Sequence, residues 1–139
     1  MRSTRPWTLV PLFAAILLLG CSKAGRRVED FTPSADNARQ ALQAALEHWK
    51  AGNPPGSVPG TTPQVETVDS KWKAAPKQLQ AFEILGEEPG ATGSAPRYFR
   101  VKLTTAKGPP QEVKYVVVGI DPLWVYREPD FAALSGAGK

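Results

Sequence analysis

The chain holds one cysteine and one histidine in 139 residues. The lone cysteine, Cys21, has no partner for an intrachain disulfide, so the domain must hold together by packing. His48 has neither a second imidazole nor a thiol to join it, which argues against a zinc or copper centre. There is no G-x-S-x-G turn, so Ser57 and Ser94 lack the setting of a serine hydrolase. There is no G-x-G-x-x-G and no phosphate loop; the glycines serve turns. No cofactor and no metal are expected. Strong charge of one sign is missing too. The chain carries 17 basic and 13 acidic residues. Without residues 1–20, which include Arg2 and Arg5, 15 basic face 13 acidic residues; past residue 30 the balance is 12 to 11. Such near-neutrality excludes the electrostatic footprint of a nucleic-acid partner.

Only one long apolar run is present. Arg2 and Arg5 precede thirteen uncharged residues, Thr8 to Gly20. A positive start, a short apolar middle and a small residue at the end form the order of a secretory leader. As a helix the run would extend about 20 Å, short of a hydrocarbon core of about 30 Å. Pro11 further disfavours a straight span. Leu18-Leu19-Gly20-Cys21 resembles the lipobox of bacterial lipoproteins. That resemblance implies a signal peptide over 1–20, a diacylglycerol on the Cys21 thiol, and often an acylated amino group. Leu19 departs from the smaller residue usual there. Two or more chains, at about 0.8 kcal/mol per buried CH₂, anchor firmly where one does not. Ser22, in place of the aspartate that holds many such proteins at the inner membrane, favours the outer membrane by the same analogy. Lys23, Arg26 and Arg27 lie beside Glu29 and Asp30 and read as a solvated tether rather than a lipid-seeking patch.

The expected organisation is a lipidated tether over 21–32, a single α+β domain over 33–130 and a flexible tail over 131–139. Thr32-Pro33-Ser34, with Asp36 close behind, opens a helix. Ala38, Leu42, Ala45, Leu46 and Trp49 form one apolar stripe at helical period, and Gly52-Asn53-Pro54-Pro55 ends it, which predicts a helix over 33–51. Residues 53–63, with four prolines and two glycines, read as a surface loop. Residues 64–75 fit either a helix or a short strand followed by a turn at Asp69-Ser70, with the strand preferred and Trp72 against the sheet. Strands are expected over 79–87, 97–105, 112–120 and 123–128. In the second, Phe99, Val101 and Leu103 alternate inward and Tyr98, Arg100 and Lys102 outward. The third is nearly all apolar, as a strand covered on both faces would be. Asp121-Pro122 forms the turn before the last.

One N-terminal helix on a three- to four-stranded antiparallel meander buries both apolar surfaces economically. This layout resembles cystatin-like and nuclear-transport-factor-like folds. The segment YVVVGIDPLWVYRE, from Tyr115 to Glu128, resembles the C-terminal end of small bacterial lipoproteins that carry no assigned activity. The first functional expectation is thus a monomeric, membrane-tethered, non-enzymatic module with a protein partner in the envelope. Its candidate binding face comprises Tyr98, Arg100, Lys102, Lys114, Trp124 and Tyr126, with Arg97 joining the same cluster. The alternative is a small-ligand carrier or an enzyme resembling the ketosteroid-isomerase branch of the cone-shaped folds. There a mouth carboxylate, here Asp69, Glu83, Asp121 or Glu128, would act beside Tyr98, Tyr115 or Tyr126. The plainer reading of those carboxylates is turns and solvent-facing positions, since a site requires geometry.

Overall fold

The computed structural model describes residues 32–88 and 96–136. The expected leader, Cys21, the expected tether up to residue 31 and Ser94 lie outside the described residues. Helix α1 spans Ala35–Lys50, capped by Ser34, whose hydroxyl accepts from the Asn37 amide at 3.1 Å. Asp36 sits in the first turn, where the helix dipole favours an acid. The chain leaves the helix through Gly52 at φ +89°, a backbone that suits glycine, and then Asn53-Pro54-Pro55 prevents continuation. Ala38, Ala41, Leu42, Ala45, Leu46 and Trp49 are all buried. Three of these are alanines, so the helix backbone approaches the sheet closely.

The sheet is larger than the sequence pattern predicts. Six strands are ordered β1-β2-β6-β5-β4-β3. They are β1 (Ser57–Val58), β2 (Val65–Val68), β3 (Leu79–Glu88), β4 (Arg97–Thr105), β5 (Gln111–Gly119) and β6 (Leu123–Arg127). The last four form the expected antiparallel meander. The correction lies at the other edge. β2 pairs parallel with β6, Val65 opposite Leu123 and Val68 opposite Tyr126, and β1 pairs antiparallel with β2. The sheet is therefore mixed. The proline-rich loop contributes a two-residue strand in Ser57-Val58, a stretch that lies between Pro55 and Pro59.

Two further helices complete the described fold. Residues expected to form a turn at Asp69-Ser70 instead open the short helix α2 (Ser70–Ala74). Chain expected to fray from residue 131 continues as helix α3 (Glu128–Ser135), started by Pro129 and stopped by Gly136 in the left-handed conformation. Helix α1 covers one face of the sheet and α3 touches β5 and β6. This explains three consecutive buried residues on β5: Tyr115 and Val117 point to the α1 side, while Val116 is sealed on the opposite side. Between β5 and β6, Gly119 has φ +90°, and a Cβ there would meet the Pro122 carbonyl oxygen at 2.6 Å. The Asp121-Pro122 turn thus rests on a glycine two residues earlier. Trp49, Trp72, Phe99, Val101, Leu103, Tyr115, Val117 and Val125 fill the space between helix and sheet. Each fully buried side chain of this size contributes roughly 1.5–3 kcal/mol relative to exposure.

Candidate functional site

Two features stand out, one inside the fold and one on its outer face. The inner one centres on Asp69, at the point where β2 turns into α2. Its Oδ1 accepts from the amides of Lys71 (2.9 Å) and Trp72 (3.0 Å), which caps the helix, and from Nε of Arg127 (2.9 Å). Its Oδ2 accepts from the Tyr115 hydroxyl at 2.6 Å. Tyr115 and Arg127 are direct cross-strand neighbours on β5 and β6. The guanidinium Nη2 lies 3.5 Å from the Tyr115 hydroxyl, and its carbon is 5.6 Å from the Tyr115 ring centroid. Asp69 is 3% exposed and Arg127 9%, so the pair is screened little by solvent. Burial, seconded by the Asp69 charge, pushes the Tyr115 hydroxyl well above its ordinary value, so it is a neutral donor across the physiological range. Burial alone would lower the Arg127 guanidinium; the Tyr115 and Asp69 oxygens outweigh it and hold Arg127 above its ordinary value.

Around this knot the indoles are also anchored. Trp72 Nε1 donates to the Asn53 carbonyl at 2.7 Å and Trp49 Nε1 to the Ala75 carbonyl at 3.1 Å. The two rings stack at 5.5 Å, and His48 meets Trp72 edge-on at 6.1 Å. His48 is thus a packing residue at the end of α1. Among the described residues no buried side-chain nitrogen or oxygen lacks a hydrogen-bond partner, and no group of histidines and carboxylates is placed to hold a metal.

Among the described residues the carboxylate–tyrosine pairing weighed from the sequence is realised once, as Asp69 and Tyr115, but with the two groups aimed at each other. A general base needs a lone pair free to meet a substrate proton. Here both oxygens are taken by four protein donors. Glu83 and Asp121 are exposed, and Glu128 starts α3; the described hydrogen bonds join none of them to a tyrosine hydroxyl. Ser57 donates its hydroxyl to Glu66 at 2.6 Å.

On the outer face the structure brings together the six residues singled out from the sequence. Tyr98, Arg100 and Lys102 project from β4, Lys114 from β5, and Trp124 and Tyr126 from β6. Trp124 and Tyr126 stack at 5.9 Å, and Phe131 of α3 tilts against Tyr126 at 5.5 Å. All four rings are half-buried. Arg97 does not belong to this cluster. Strand alternation turns it to the α1 side, where its Nε donates to the Pro33 carbonyl at 2.6 Å and its Nη1 pairs with Glu87. The face is also less basic than the sequence implies. Arg100 pairs with Glu88 (3.2 Å) and Glu112 (3.4 Å), and Lys114 with Glu88 (3.1 Å). The hydrogen bond and charge of Glu88 raise the Lys114 pKa. Glu88 and Glu112 arrive opposite these cations through strand register, which composition alone does not reveal.

Sequence reasoning missed Arg127 as an inward residue. The signal was present: alternation through Leu123, Val125 and Arg127 puts all three on one face. It also missed that Asp69-Ser70-Lys71-Trp72 is a helix cap rather than a plain turn. No family model matches this chain, and comparison with curated proteins and with solved structures found no match for it either.

Proposed function

We propose that the protein is a lipid-anchored lipoprotein of the bacterial cell envelope, at the outer membrane, that acts as a non-enzymatic binding module through its outer sheet face. The anchor reading rests on the leader and lipobox residues ending in Cys21. The observation that carries the non-enzymatic reading is the mutual engagement of Asp69 and Tyr115: this carboxylate and phenol are committed to each other, to Arg127 and to the cap of α2. Behind them Trp49, Trp72, Phe99 and Val117 pack together in the core between α1 and the centre of the sheet. The partner face would use Tyr98, Trp124 and Tyr126 as amphipathic anchors. Arg100 and Lys114 are already paired, and Lys102 stands exposed beside them. Aromatic residues of this kind supply much of the affinity at protein interfaces.

The test uses the full chain in envelope membranes. Cross-linking and pull-down of the anchored wild type should recover one recurrent envelope protein, and Trp124→Ala should reduce that recovery with the fold retained. Equal recovery with Trp124→Ala would move the interface elsewhere. For the anchor, Cys21→Ala should shift the protein from the detergent phase to the aqueous phase; retention in the detergent phase would replace the lipid with an uncleaved helix.

A further inference from the structure

Beneath α2, at the end of the sheet where β6 stops, lies a cavity of about 320 Å³ lined by Trp49, Lys71, Ala74, Ala75, Gln78, Leu103, Thr105, Gln111 and Arg127. We propose that it binds a small carboxylate with an apolar body, held by Arg127. This does not rest on the outer-face reading above, because the cavity opens on the opposite side of the sheet.

Three observations converge. The first is the state of Arg127. Its Nε and Nη2 edge faces Asp69 and Tyr115, while Nη1 has no hydrogen-bond partner among the described residues. Because no buried side-chain nitrogen among the described residues lacks a partner, Nη1 is the edge that solvent reaches on an otherwise buried residue that lines the cavity. Asp69 and Tyr115 lock the guanidinium in place, so a ligand would meet a preorganised donor. An arginine terminus matches the planar carboxylate and gives the stronger, charge-assisted class of hydrogen bond.

The second is charge. The lining includes two cations, Arg127 and Lys71, and no carboxylate. Asp69 offsets Arg127 from behind. Lys71, exposed at the rim, has no ion pair among the described residues. The net excess matches one negative charge, which a monocarboxylate carries and a doubly charged phosphate exceeds. The third is the remaining surface. Trp49, Ala74, Ala75 and Leu103 form apolar walls, while Gln78, Gln111 and Thr105 place neutral donors and acceptors around them. The cavity has room for a small molecule. It sits at the small end of ligand pockets, which start near 300 Å³.

Benzoate is a suitable probe, with benzamide as its neutral counterpart of the same shape and inorganic phosphate as the bare anion. The full chain is titrated in detergent, and the indole N–H resonances are followed by NMR. Benzoate should shift the Trp49 resonance saturably and leave that of Trp124, on the other face, in place. Benzamide should bind roughly tenfold more weakly or not at all, being unable to form the charge-assisted bonds. Lys71→Gln, a change at an exposed position outside the buried knot, should weaken benzoate about threefold with the melting temperature unchanged. Arg127→Lys should abolish the shift. Should that variant fail to fold, Gln78→Trp, which fills the cavity from a half-buried position, should abolish it instead. A Trp49 resonance that does not move with benzoate, moves equally with benzamide, or responds to phosphate as strongly as to benzoate would overturn the proposal. So would identical benzoate binding by wild type and Lys71→Gln.

Discussion

Asp69 is the position where a small chemical change should cost most. In Asp69→Ala four donors lose their acceptor at once. The largest loss is electrostatic. Arg127, with an 11% exposed side chain, would face a pocket without its counter-charge. Removing one member of a buried ion pair typically costs about 3–5 kcal/mol, because the other charge is left uncompensated. Loss of the α2 cap adds about 1 kcal/mol, and the orphaned Tyr115 hydroxyl about 1 kcal/mol more. These contributions share partners and do not sum simply. A net destabilisation of about 4 kcal/mol or more is expected, against a total of about 5–15 kcal/mol for a domain of this size. Urea denaturation followed by tryptophan fluorescence measures it. The origin is separated by the double variant Asp69→Ala/Arg127→Met, which removes both charges. It should be more stable than the sum of the single losses implies, by about 1–3 kcal/mol. A single-variant loss below about 1 kcal/mol, the range of ordinary surface changes, would refute the reasoning. So would a double variant whose losses simply add.

Three further outcomes are expected. Trp49→Ala should destabilise by about 3–5 kcal/mol, because the ring is 2% exposed and stacked on Trp72, whereas half-buried Trp124→Ala should cost less; paired urea curves compare them. Above about pH 10, stability should fall. The raised Tyr115 hydroxyl keeps its proton in the folded state while the unfolded chain loses it, so the contribution is whole below the unfolded value and disappears as pH climbs toward the folded one. Tyr115→Phe should lower stability at pH 7 and flatten that alkaline decline, as read from melting temperatures between pH 8 and 11. Gly119→Ala should cost roughly 1–3 kcal/mol through strain at φ +90° and collision with the Pro122 carbonyl, measurable by calorimetry.

The parts of the fold legible in the sequence are those written in a local pattern. The α1 stripe ending in Trp49, the alternation through Phe99, Val101 and Leu103, and the apolar run of β5 each fix an element within a residue or two of its observed bounds. What escaped depends on distant partners. Val65–Val68 is too short to declare its neighbour, and its parallel pairing with β6 follows from the tertiary fold. Helix α3 has no strong apolar stripe of its own and is placed by Phe131 on Tyr126 and by Asp130, whose Oδ2 accepts from the amide and hydroxyl of Ser70. The outer face was legible as a set of residues. Its charge balance was not, because Glu88 and Glu112 reach Arg100 and Lys114 only through strand register. Likewise the Asp69 knot joins residues 46 and 58 positions apart, a separation at which the sequence carries no local signal.

The parallel pairing of β2 with β6 has a consequence for the order of events when the chain is made. Synthesis runs from the N-terminus, so α1, β1 and β2 emerge first, yet β2 has no neighbour but the two-residue β1 until residues 123–127 arrive. The stripe of α1 packs against β5 and β6 as well as β2 and β3; it must wait for the same segment. Asp69 cannot close its contacts before Tyr115 and Arg127 exist. Nearly the whole described chain must therefore be present before the sheet can be completed, and truncation a few residues short of β6 would remove more than an edge. It would take away the strand that joins the two halves of the sheet. The closing of such long loops also makes slow folding the expectation relative to a helical protein of equal length. On the proposal that the chain is exported before it folds, late closure is an advantage: the sequence stays threadable until its final strand is through.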